Sequence, residues 1–417
     1  MRGGVDLGPL RTSPAFRRLY IARFFSGVGN QLTYVVTAYQ LRLLTHSVLA
    51  VGSLGLVEVI PIVVFGLYGG VLADHLDRRV MAVATEVALG LLSVSLLVNT
   101  LWHPHAWVLY AVDALVVSAG SLQTPSVAAM RQLLVRHDEQ RSAATLGAIR
   151  DTTATLVAPA IGGLIAVLAG PGWAYLVTVV AFTVSVPLLA SLPQPPRGGG
   201  GSAVAASLRT GLRYTHSRPD LIGTYVVDLL AMAWAYPVVM LPFVAATFPH
   251  QPDALALLYL GLPLGSLLAT LSAAWTRHVH RYGRAIVVAA VVWGGGITLF
   301  GFSRSLTMDL VGLTIAGGAD AMSGIFRTTM WNESIPPDVR GRLAGVELIS
   351  YALGPTTGQL RSGWMAAWWS LRLSLGLGGI GAAGSVAGVA VALPRLWSFD
   401  ARTDENVAAV ARQRAAA

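Results

Sequence analysis

Long apolar segments alternate with short polar connections along almost the whole chain. A helix of about 18 or more apolar residues is long enough to cross the roughly 30 Å hydrocarbon core of a bilayer. A helix also satisfies its own backbone hydrogen bonds there. The pattern predicts an all-α, polytopic membrane protein with twelve transmembrane helices, near residues 18–41, 48–73, 80–101, 106–132, 143–168, 172–192, 221–246, 254–276, 285–303, 307–331, 343–369 and 373–393.

The composition agrees with a membrane protein, because 54% of the residues are hydrophobic and only 12% are charged. Soluble domains carry about 25% charged residues. The absence of cysteine excludes disulfides, thiolate metal sites and cysteine nucleophiles. The N-terminal segment has no short apolar stretch with a small-residue cleavage site, so we expect the first long apolar segment to be retained as a helix.

The basic residues predict the orientation of the chain in the membrane. All 29 are arginine, and the formal net charge is +9. With a cytoplasmic N-terminus, only Arg42, Arg304 and Arg372 fall in outer loops, and most of the others fall in cytoplasmic segments. The positive-inside rule therefore predicts that both termini are cytoplasmic, and it accounts for the basic charge without nucleic acid as a partner.

A break rich in proline and glycine, containing PQPPRGGGGS, divides the predicted helices six and six. Its second part predicts either a basic helix along the membrane surface or a solvated loop. A shift of 196 positions pairs Asp113 with Asp309, Arg131 with Arg327, Asp151 with Glu347, and Pro159 with Pro355. Such an internal repeat indicates duplicated halves. We expect pseudo-symmetric six-helix bundles at 1–192 and 221–394, a cytoplasmic linker at 193–220 and a cytoplasmic tail at 395–417.

The polar turn after the second predicted helix, GGVLADHLDRR at 69–79, concentrates charge in a chain that has little. Glycine lets a helix approach its neighbour closely, and a boundary carboxylate can accept from the first amides of another helix or pair with an arginine. We predict that Gly70, Asp74, Arg78 and Arg79 form a conformational latch. The latch would favour one of two conformations of the helix bundle, open to one or the other side of the membrane, by about 1 kcal/mol. The alternative, chiefly for the two arginines, is a role in topology alone.

Two six-helix halves, a central linker and this turn together resemble the major facilitator superfamily. The loop signature of that superfamily is Gly-x-x-x-Asp-Arg-x-Gly-Arg-Arg, which is matched here by Gly70, Asp74, Arg78 and Arg79. His75 and Asp77 depart from it, and the resulting Asp-x-x-Asp-Arg-Arg form resembles the enterobactin-exporter-like group of bacterial efflux proteins. The resemblance covers about residues 14–394. It implies the major facilitator fold, drug–proton antiport and the inner membrane of a bacterium.

The corresponding turn of the second half, WTRHVHRYGR at 275–284, keeps the basic charge and lacks the aspartate. We therefore expect the latch to be stronger in the N-terminal half.

The fifth predicted helix resembles the exporter signature Gly-x-x-x-Gly-Pro-x-x-Gly-Gly at Pro159, Gly162 and Gly163. Proline removes a backbone hydrogen bond and small residues permit close packing, so such a helix can bend during rocking. Pro355 and Gly358 repeat the pattern in the eleventh helix. The resemblance implies export, with packing alone as the alternative. The exporter signature of the fourth helix, with an arginine before Gln-Gly, is absent, so no proton relay through that arginine is implied.

Acids inside predicted helices are the candidates for proton coupling, because a charge at a helix centre costs about 2.5–3.5 kcal/mol and needs a partner or water. They are Asp228, Asp151, Asp320 and Glu347. Asp228 has no charged neighbour in sequence, so it is either a titrating carboxylate facing a cavity or half of an ion pair with an arginine such as Arg150.

The remaining charges within helices have less specific predictions. Arg150 and Asp151 point about 100° apart on a helix, so we do not expect them to pair with each other. Arg131 and Arg327 lie near inner helix ends and are expected to extend to the headgroups. Arg23 and Glu86 lie in the inner third, with no role assigned.

Polar and aromatic residues at depth are the candidates for the substrate cavity. Amides give hydrogen bonds, aromatic rings can stack on an amphipathic or cationic compound, and an arginine can face the cavity. The set comprises Asn30, Gln31, Tyr34, Arg150, Trp234 and Tyr236. Contacts with lipid or within the bundle are the alternative for the aromatic residues.

The sequence has no phosphate loop, no spacing typical of a metal site and no recognisable reaction set. We therefore expect neither a cofactor, a metal nor an enzymatic activity. The sequence therefore predicts a monomeric secondary active transporter, with a small molecule, protons and the bilayer as partners. It would export a small amphipathic compound, of drug or siderophore type, by alternating access and proton antiport. The alternatives are a facilitator or importer of the same fold and a transport-inactive scaffold or receptor.

Overall fold

In the computed structural model of the protein, residues 6–75, 77–194 and 213–416 are described, and within them every regular element is a helix. Side chains are described in the same ranges except 67–75, 337–342, 344–346, 348–349 and 415–416. The main helices are α1 Pro14–Thr45, α2 Leu54–His75, α3 Arg78–Leu101, α4 Ala106–Leu133, α5 Gln140–Leu168, α6 Pro171–Ala190, α7 Pro219–Ala235, α8 Ala254–Leu271, α9 Tyr282–Phe302, α10 Leu306–Ser334, α11 Pro337–Trp368, α12 Leu371–Ala392 and α13 Glu405–Ala416.

Short helical segments connect or precede several of these helices. They are Gly8–Thr12, Val48–Gly52, Leu241–Ala245 and Pro394–Trp397, with 3₁₀ turns at His137–Glu139, Val238–Met240 and Ala273–His278.

Local capping explains where several helices begin and end. The Ser13 hydroxyl accepts from the Phe16 amide, and Pro14 occupies the first turn of α1, where its missing N–H has no cost. The Asp77 carboxylate caps α3 by accepting from the amides of Arg79 and Val80. Asp77, one of the two residues that depart from the superfamily loop signature, is therefore a helix N-cap.

The predicted helical segments coincide with helices in the structure, although several boundaries differ. Residues 48–73 are interrupted at Ser53, α7 ends at Ala235 close to Pro237, and α8 ends at Leu271 rather than continuing as an α-helix to 276. Nine spans of the described residues are long and apolar enough to cross a membrane. α1, α10 and α11 fall outside that set, and they contain more polar and charged residues.

The described residues divide into two compact units. Unit 1 comprises 6–46, 60–75, 77–194 and 250–256, and unit 2 comprises 47–59, 213–249 and 257–416. Unit 1 has a buried apolar cluster at the start of α1 and α3 and the end of α4 and α6, formed by Leu19, Ala22, Ala82, Met130, Leu189 and Leu192.

Unit 2 is held together by helices that pack almost backbone to backbone. A methyl group on Gly301 of α9 would lie 2.1 Å from the Gly376 amide nitrogen of α12. On another side of α9, a methyl group on Gly296 would lie 2.7 Å from the Gly312 carbonyl oxygen of α10. Small residues that bring helix backbones together are typical of helix packing in membranes.

Candidate functional site

A buried ion pair joins α7 and α10 in unit 2. The Arg327 guanidinium contacts the Asp228 carboxylate, and the two side chains are only 4% and 6% exposed. At 1.5 Å per residue, Asp228 lies roughly 14 Å along α7, near the middle of a bilayer-spanning helix. Asp228 is therefore paired with Arg327 and not with Arg150. The prediction that Arg327 extends to the headgroups was wrong, because its charge is held inside the bundle by this carboxylate.

Asp320 lies about two turns before Arg327 on α10, in the middle of that helix. It makes no hydrogen bond to a described residue, and its charge is attracted by Arg327 and repelled by Asp228. Arg327 is therefore in contact with Asp228 and within electrostatic reach of a second carboxylate, that of Asp320. A single positive charge cannot neutralise both carboxylates. The remaining negative charge favours binding of a proton or a cationic ligand.

A cluster of aromatic rings lies beside Arg327. The Arg327 guanidinium lies 5.4 Å from the centroid of the Tyr351 ring on α11, a cation–π distance. Trp331 packs between Tyr351 and Tyr225 and donates its indole N–H to the Thr224 hydroxyl at 3.0 Å. These contacts leave Arg327 little freedom to move away from Asp228.

Glu347 of α11 is the third predicted acid in this region. It interacts electrostatically with Tyr225 and Tyr351, the two tyrosines of the aromatic cluster. The structure thus brings Asp228, Asp320 and Glu347 into one neighbourhood of unit 2. We name Asp228, Asp320 and Arg327 the unit 2 acid group.

Unit 1 contains a different polar network, around Glu86 of α3. This carboxylate is fully buried and accepts hydrogen bonds from Ser26 of α1 at 3.2 Å, Gln123 of α4 at 2.6 Å and Ser185 of α6. Arg23 donates to the Gln123 side-chain oxygen and, at 3.3 Å, to Ser26. Glu86 and Arg23 are therefore linked through neutral side chains rather than by direct contact, and four helices meet at the network.

Asp151, the predicted acid of unit 1, lies outside this network. Arg150 contacts it at 2.7 Å, although we expected the two side chains to point apart. The expectation failed because the long arginine side chain reaches around the helix. Arg150 is 12% exposed and lies 5.7 Å from the Tyr20 ring, whereas the Asp151 side chain is 66% exposed.

The predicted substrate residues of α1 lie half-buried along one helix. Asn30, Gln31 and Tyr34 are neither fully buried nor exposed, and the two amides make no hydrogen bond to a described residue. Half-buried amides at this depth can donate hydrogen bonds to a ligand and accept hydrogen bonds from it.

The predicted substrate aromatics of unit 2 lie at the end of α7. The Trp234 ring is 37% exposed, and the Arg361 guanidinium of α11 lies 5.9 Å from its centroid. Tyr236 is half-buried just beyond α7. Arg361 thus supplies a cation beside Trp234.

The predicted bending positions are sites of close helix packing. A methyl group on Gly162 of α5 would lie 3.1 Å from Leu32 of α1, and one on Gly358 of α11 would lie 2.3 Å from the Met232 carbonyl oxygen of α7. Gly163 is buried beside Pro159 within α5, and Pro355 lies inside α11.

The predicted latch falls partly outside the described residues, since the side chains of 67–75, which include Gly70 and Asp74, are not described. Arg78 begins α3, and the Arg79 guanidinium donates to the Ala190 carbonyl oxygen at the end of α6. A cation at a helix C-terminus satisfies a free carbonyl and stabilises the helix dipole.

The family model for transmembrane secretion effectors, MFS_3, matches residues 5–414. The chain belongs to the transmembrane secretion effector family. Among the relatives of this family member, the Enterobactin exporter EntS of Shigella flexneri is 28% identical over 366 residues, which cover 87% of this chain and 88% of the relative. The Enterobactin exporter EntS of Escherichia coli O1:K1 / APEC is 27% identical over 368 residues, with the same coverage of 87% and 88%.

Solved transporters share the fold of this transmembrane secretion effector. The nucleoside transporter NupG superposes with a TM-score of 0.71 at 12% identity, covering 93% of this chain and 100% of that chain. The D-xylose-proton symporter gives a TM-score of 0.69 at 14% identity, covering 92% and 97%. The predicted major facilitator fold and the resemblance to enterobactin exporters are confirmed. The protein is a multi-pass transporter of the bacterial inner membrane.

Proposed function

We propose that this transmembrane secretion effector exports a small amphipathic compound, of drug or siderophore type, by alternating access and proton antiport. Support for export comes from the relatives named as enterobactin exporters, which match along 87% of this chain. The chain would act as a monomer with both termini in the cytoplasm. Its halves would be 1–192 and 221–394, joined by the linker 193–220 and followed by the tail 395–417.

The observation that carries proton coupling is the charge imbalance of the unit 2 acid group. Arg327 pairs with Asp228 while Asp320 competes for the same positive charge. When either carboxylate is protonated, the group carries one negative and one positive charge and is neutral. When both carboxylates are deprotonated, the group carries a net charge of about −1. An antiporter needs such a group, because proton and substrate must occupy the protein alternately.

The energy available to this exchange is sufficient to drive export. A membrane potential of 100 mV supplies about 2.3 kcal/mol for each charge that crosses. One proton per cycle would thus allow the substrate to be concentrated about fiftyfold. Glu347, beside the same tyrosines, and Asp151 of α5 remain further coupling candidates.

Substrate contacts are proposed for each unit separately. In unit 1 the half-buried amides of Asn30 and Gln31 would donate and accept hydrogen bonds, with Tyr34 one turn further along the same helix. Arg150, which lies 5.7 Å from the Tyr20 ring near the start of α1, is a further proposed contact. In unit 2 the exposed part of Trp234 would stack on an apolar or aromatic portion of the substrate, with Tyr236 nearby.

Two further roles are proposed for the conformational change. Gly70, Asp74, Arg78 and Arg79 would form the latch that favours one access state, and the bond from Arg79 to the end of α6 supports a role for that arginine. Pro159, Gly162 and Gly163 of α5, with Pro355 and Gly358 of α11, would permit those helices to bend.

The experiment that tests this function is efflux from reconstituted vesicles with and without an imposed pH gradient. Enterobactin and a panel of amphipathic dyes serve as probes. Wild type is compared with Asp320→Asn and Asp228→Asn, and Asp138→Asn is the matched control, because that aspartate is exposed and lies in a connection. We expect the gradient to accelerate efflux of at least one probe, and Asp320→Asn to remove that acceleration.

Other outcomes would assign the protein to a different class. Movement of a probe that ignores the gradient in wild type would indicate a facilitator. Accumulation inside vesicles in the direction of the proton flow would indicate an importer. Binding of a probe without any movement would indicate a receptor or scaffold, and each of these results would contradict proton-coupled export.

A further inference from the structure

A groove of about 560 Å³ lies on unit 2 between α8, α9 and α10, at the end where α9 begins. Its interior is apolar, with small residues of α10 opposite valines of α9. The lining includes Val288, Val292, Gly318, Ala319, Met322 and Phe326. Val288 is 53% exposed, so the groove opens to the surface of the unit rather than into its core.

Two arginines stand at the mouth of this groove. The Arg281 side chain is 61% exposed, and its guanidinium lies 3.6 Å from the Asp400 carboxylate. Arg284 donates to the Trp397 carbonyl oxygen at 3.4 Å and lies 5.4 Å from the Trp397 ring, but it pairs with no acid among the described side chains. Of these two arginines, the Asp400 carboxylate therefore contacts Arg281 alone, and the charge of Arg284 is left at the mouth of the groove.

The dimensions fit a phospholipid. From Arg284 to Val292, α9 rises roughly 12 Å at 1.5 Å per residue. A groove of this length holds the part of one acyl chain that lies next to the headgroup. Trp275, 51% exposed, lines the same groove where α8 ends, and tryptophan favours the membrane interface. Guanidinium groups bind phosphate in a bidentate manner, and basic pockets between transmembrane helices bind anionic headgroups.

We propose that this groove binds one anionic phospholipid of the cytoplasmic leaflet, with its phosphate on Arg281 and Arg284 and one acyl chain along α9. The site lies in the turn that corresponds to the latch of the first half. That turn keeps its basic residues without an aspartate equivalent to Asp74. A phosphate would compete with Asp400 for Arg281 and would add an anionic partner to Arg284. The choice of leaflet rests on the proposed orientation, but the site depends on neither the substrate nor the coupling.

The first test measures the lipid that the full-length protein retains. Protein is reconstituted with equal amounts of phosphatidylglycerol and phosphatidylcholine, washed with detergent and analysed by native mass spectrometry. We expect retention of one phosphatidylglycerol, and a preference over phosphatidylcholine that falls about fivefold for each arginine removed in the double variant Arg281→Gln/Arg284→Gln. Arg277→Gln is the matched control, because it removes an exposed arginine from the same connection but does not line the groove.

The second test locates the acyl chain, and it does not rely on the double variant remaining folded. Phosphatidylglycerol brominated on its acyl chains should quench tryptophan fluorescence more than brominated phosphatidylcholine does, and Trp275→Phe should remove the excess. Equal quenching by the two lipids would overturn the proposal, as would an equal loss of retention in Arg277→Gln. Displacement of the lipid by inorganic phosphate would indicate a free-anion site and would also overturn it. Neither test uses substrate or a gradient, so failure here is distinguishable from failure of the transport proposal.

Discussion

Replacing Arg327 with methionine tests the structural basis of the unit 2 acid group. The substitution keeps much of the side-chain length and removes the charge that Asp228 and Asp320 share. Both Arg327 and Asp228 are almost fully buried, so no solvent takes over the role of the guanidinium. The variant is left with two carboxylates that repel each other and have no cation among their described neighbours.

The burial of the pair sets the expected magnitude. Removing one partner of a buried ion pair costs about 3–5 kcal/mol, because the other charge is left uncompensated. For a unit of roughly 200 residues this corresponds to a melting temperature lower by about 6–20 °C. Asp228→Asn should cost less than Arg327→Met, because Arg327 then keeps the attraction of Asp320. The order of the two effects follows from the geometry and is independent of the absolute scale.

The assay is thermal unfolding of the full-length protein in detergent, followed by intrinsic fluorescence. Arg304→Met is the control, since Arg304 is an exposed arginine in the connection between α9 and α10, and we expect a change of no more than about 0.5 kcal/mol. If Asp228→Asn destabilises the protein more than Arg327→Met, or if Arg327→Met matches the control, the assignment of a shared charge is wrong.

Three further predictions concern packing, a buried network and the N-terminal segment. Gly301→Ala should destabilise unit 2 by about 1–3 kcal/mol in the same unfolding assay, because its methyl group meets the backbone of α12, whereas Gly295→Ala should be nearly neutral, because nothing lies within 4 Å. Glu86→Leu should cost about 1–3 kcal/mol, because the side chains that donate to this carboxylate lose their acceptor; an unchanged melting temperature would contradict this. The Ser142 hydroxyl and a backbone amide hold the pKa of Asp6 below its usual value, so their contact stabilises the N-terminal segment at neutral pH and is lost as the pH falls through that lowered pKa. The protection of the amides of residues 6–13, measured relative to the intrinsic exchange rate at each pH, should fall in acid for wild type. An Asp6→Asn variant that shows the same loss of protection in acid would refute the assignment.

The fold could be predicted from the sequence because a helix that crosses the bilayer requires a long apolar segment, which is visible in the sequence. The apolar segments do not indicate where a helix continues beyond the membrane as a polar end. α1 begins at Pro14, four residues before the predicted start, and α11 begins at Pro337, six residues before it. A Ser-Pro pair at 13–14 is a helix-start signal that an apolarity criterion ignores.

The candidate site could be predicted only as a set of separate residues. Acids within apolar segments identified Asp228 and Asp320, but the partner of Asp228 depends on which helices pack together. Arg327 lies 99 positions further along the chain, and no local spacing indicates that contact. The pairing of Arg150 with Asp151 was missed for the opposite reason, because ideal helix angles ignore the length of an arginine side chain.

The Glu86 network was missed because most of its members are neutral. Ser26, Gln123 and Ser185 carry no charge, and single polar residues in membrane helices are common. They indicate a network only when taken together, since each lies on a different helix and each is at most 2% exposed. Such agreement between helices is visible only once the helices are packed.

Proton movement that accompanies substrate is the most direct test of proton-coupled export. A pH-sensitive dye is enclosed in vesicles that contain the protein, and a probe that wild type transports is added with no gradient imposed. If the protein is a proton antiporter, protons move opposite to the probe, Asp320→Asn abolishes this movement and Asp138→Asn preserves it. Protons that travel with the probe, or transport of the probe without any change in pH, would contradict it.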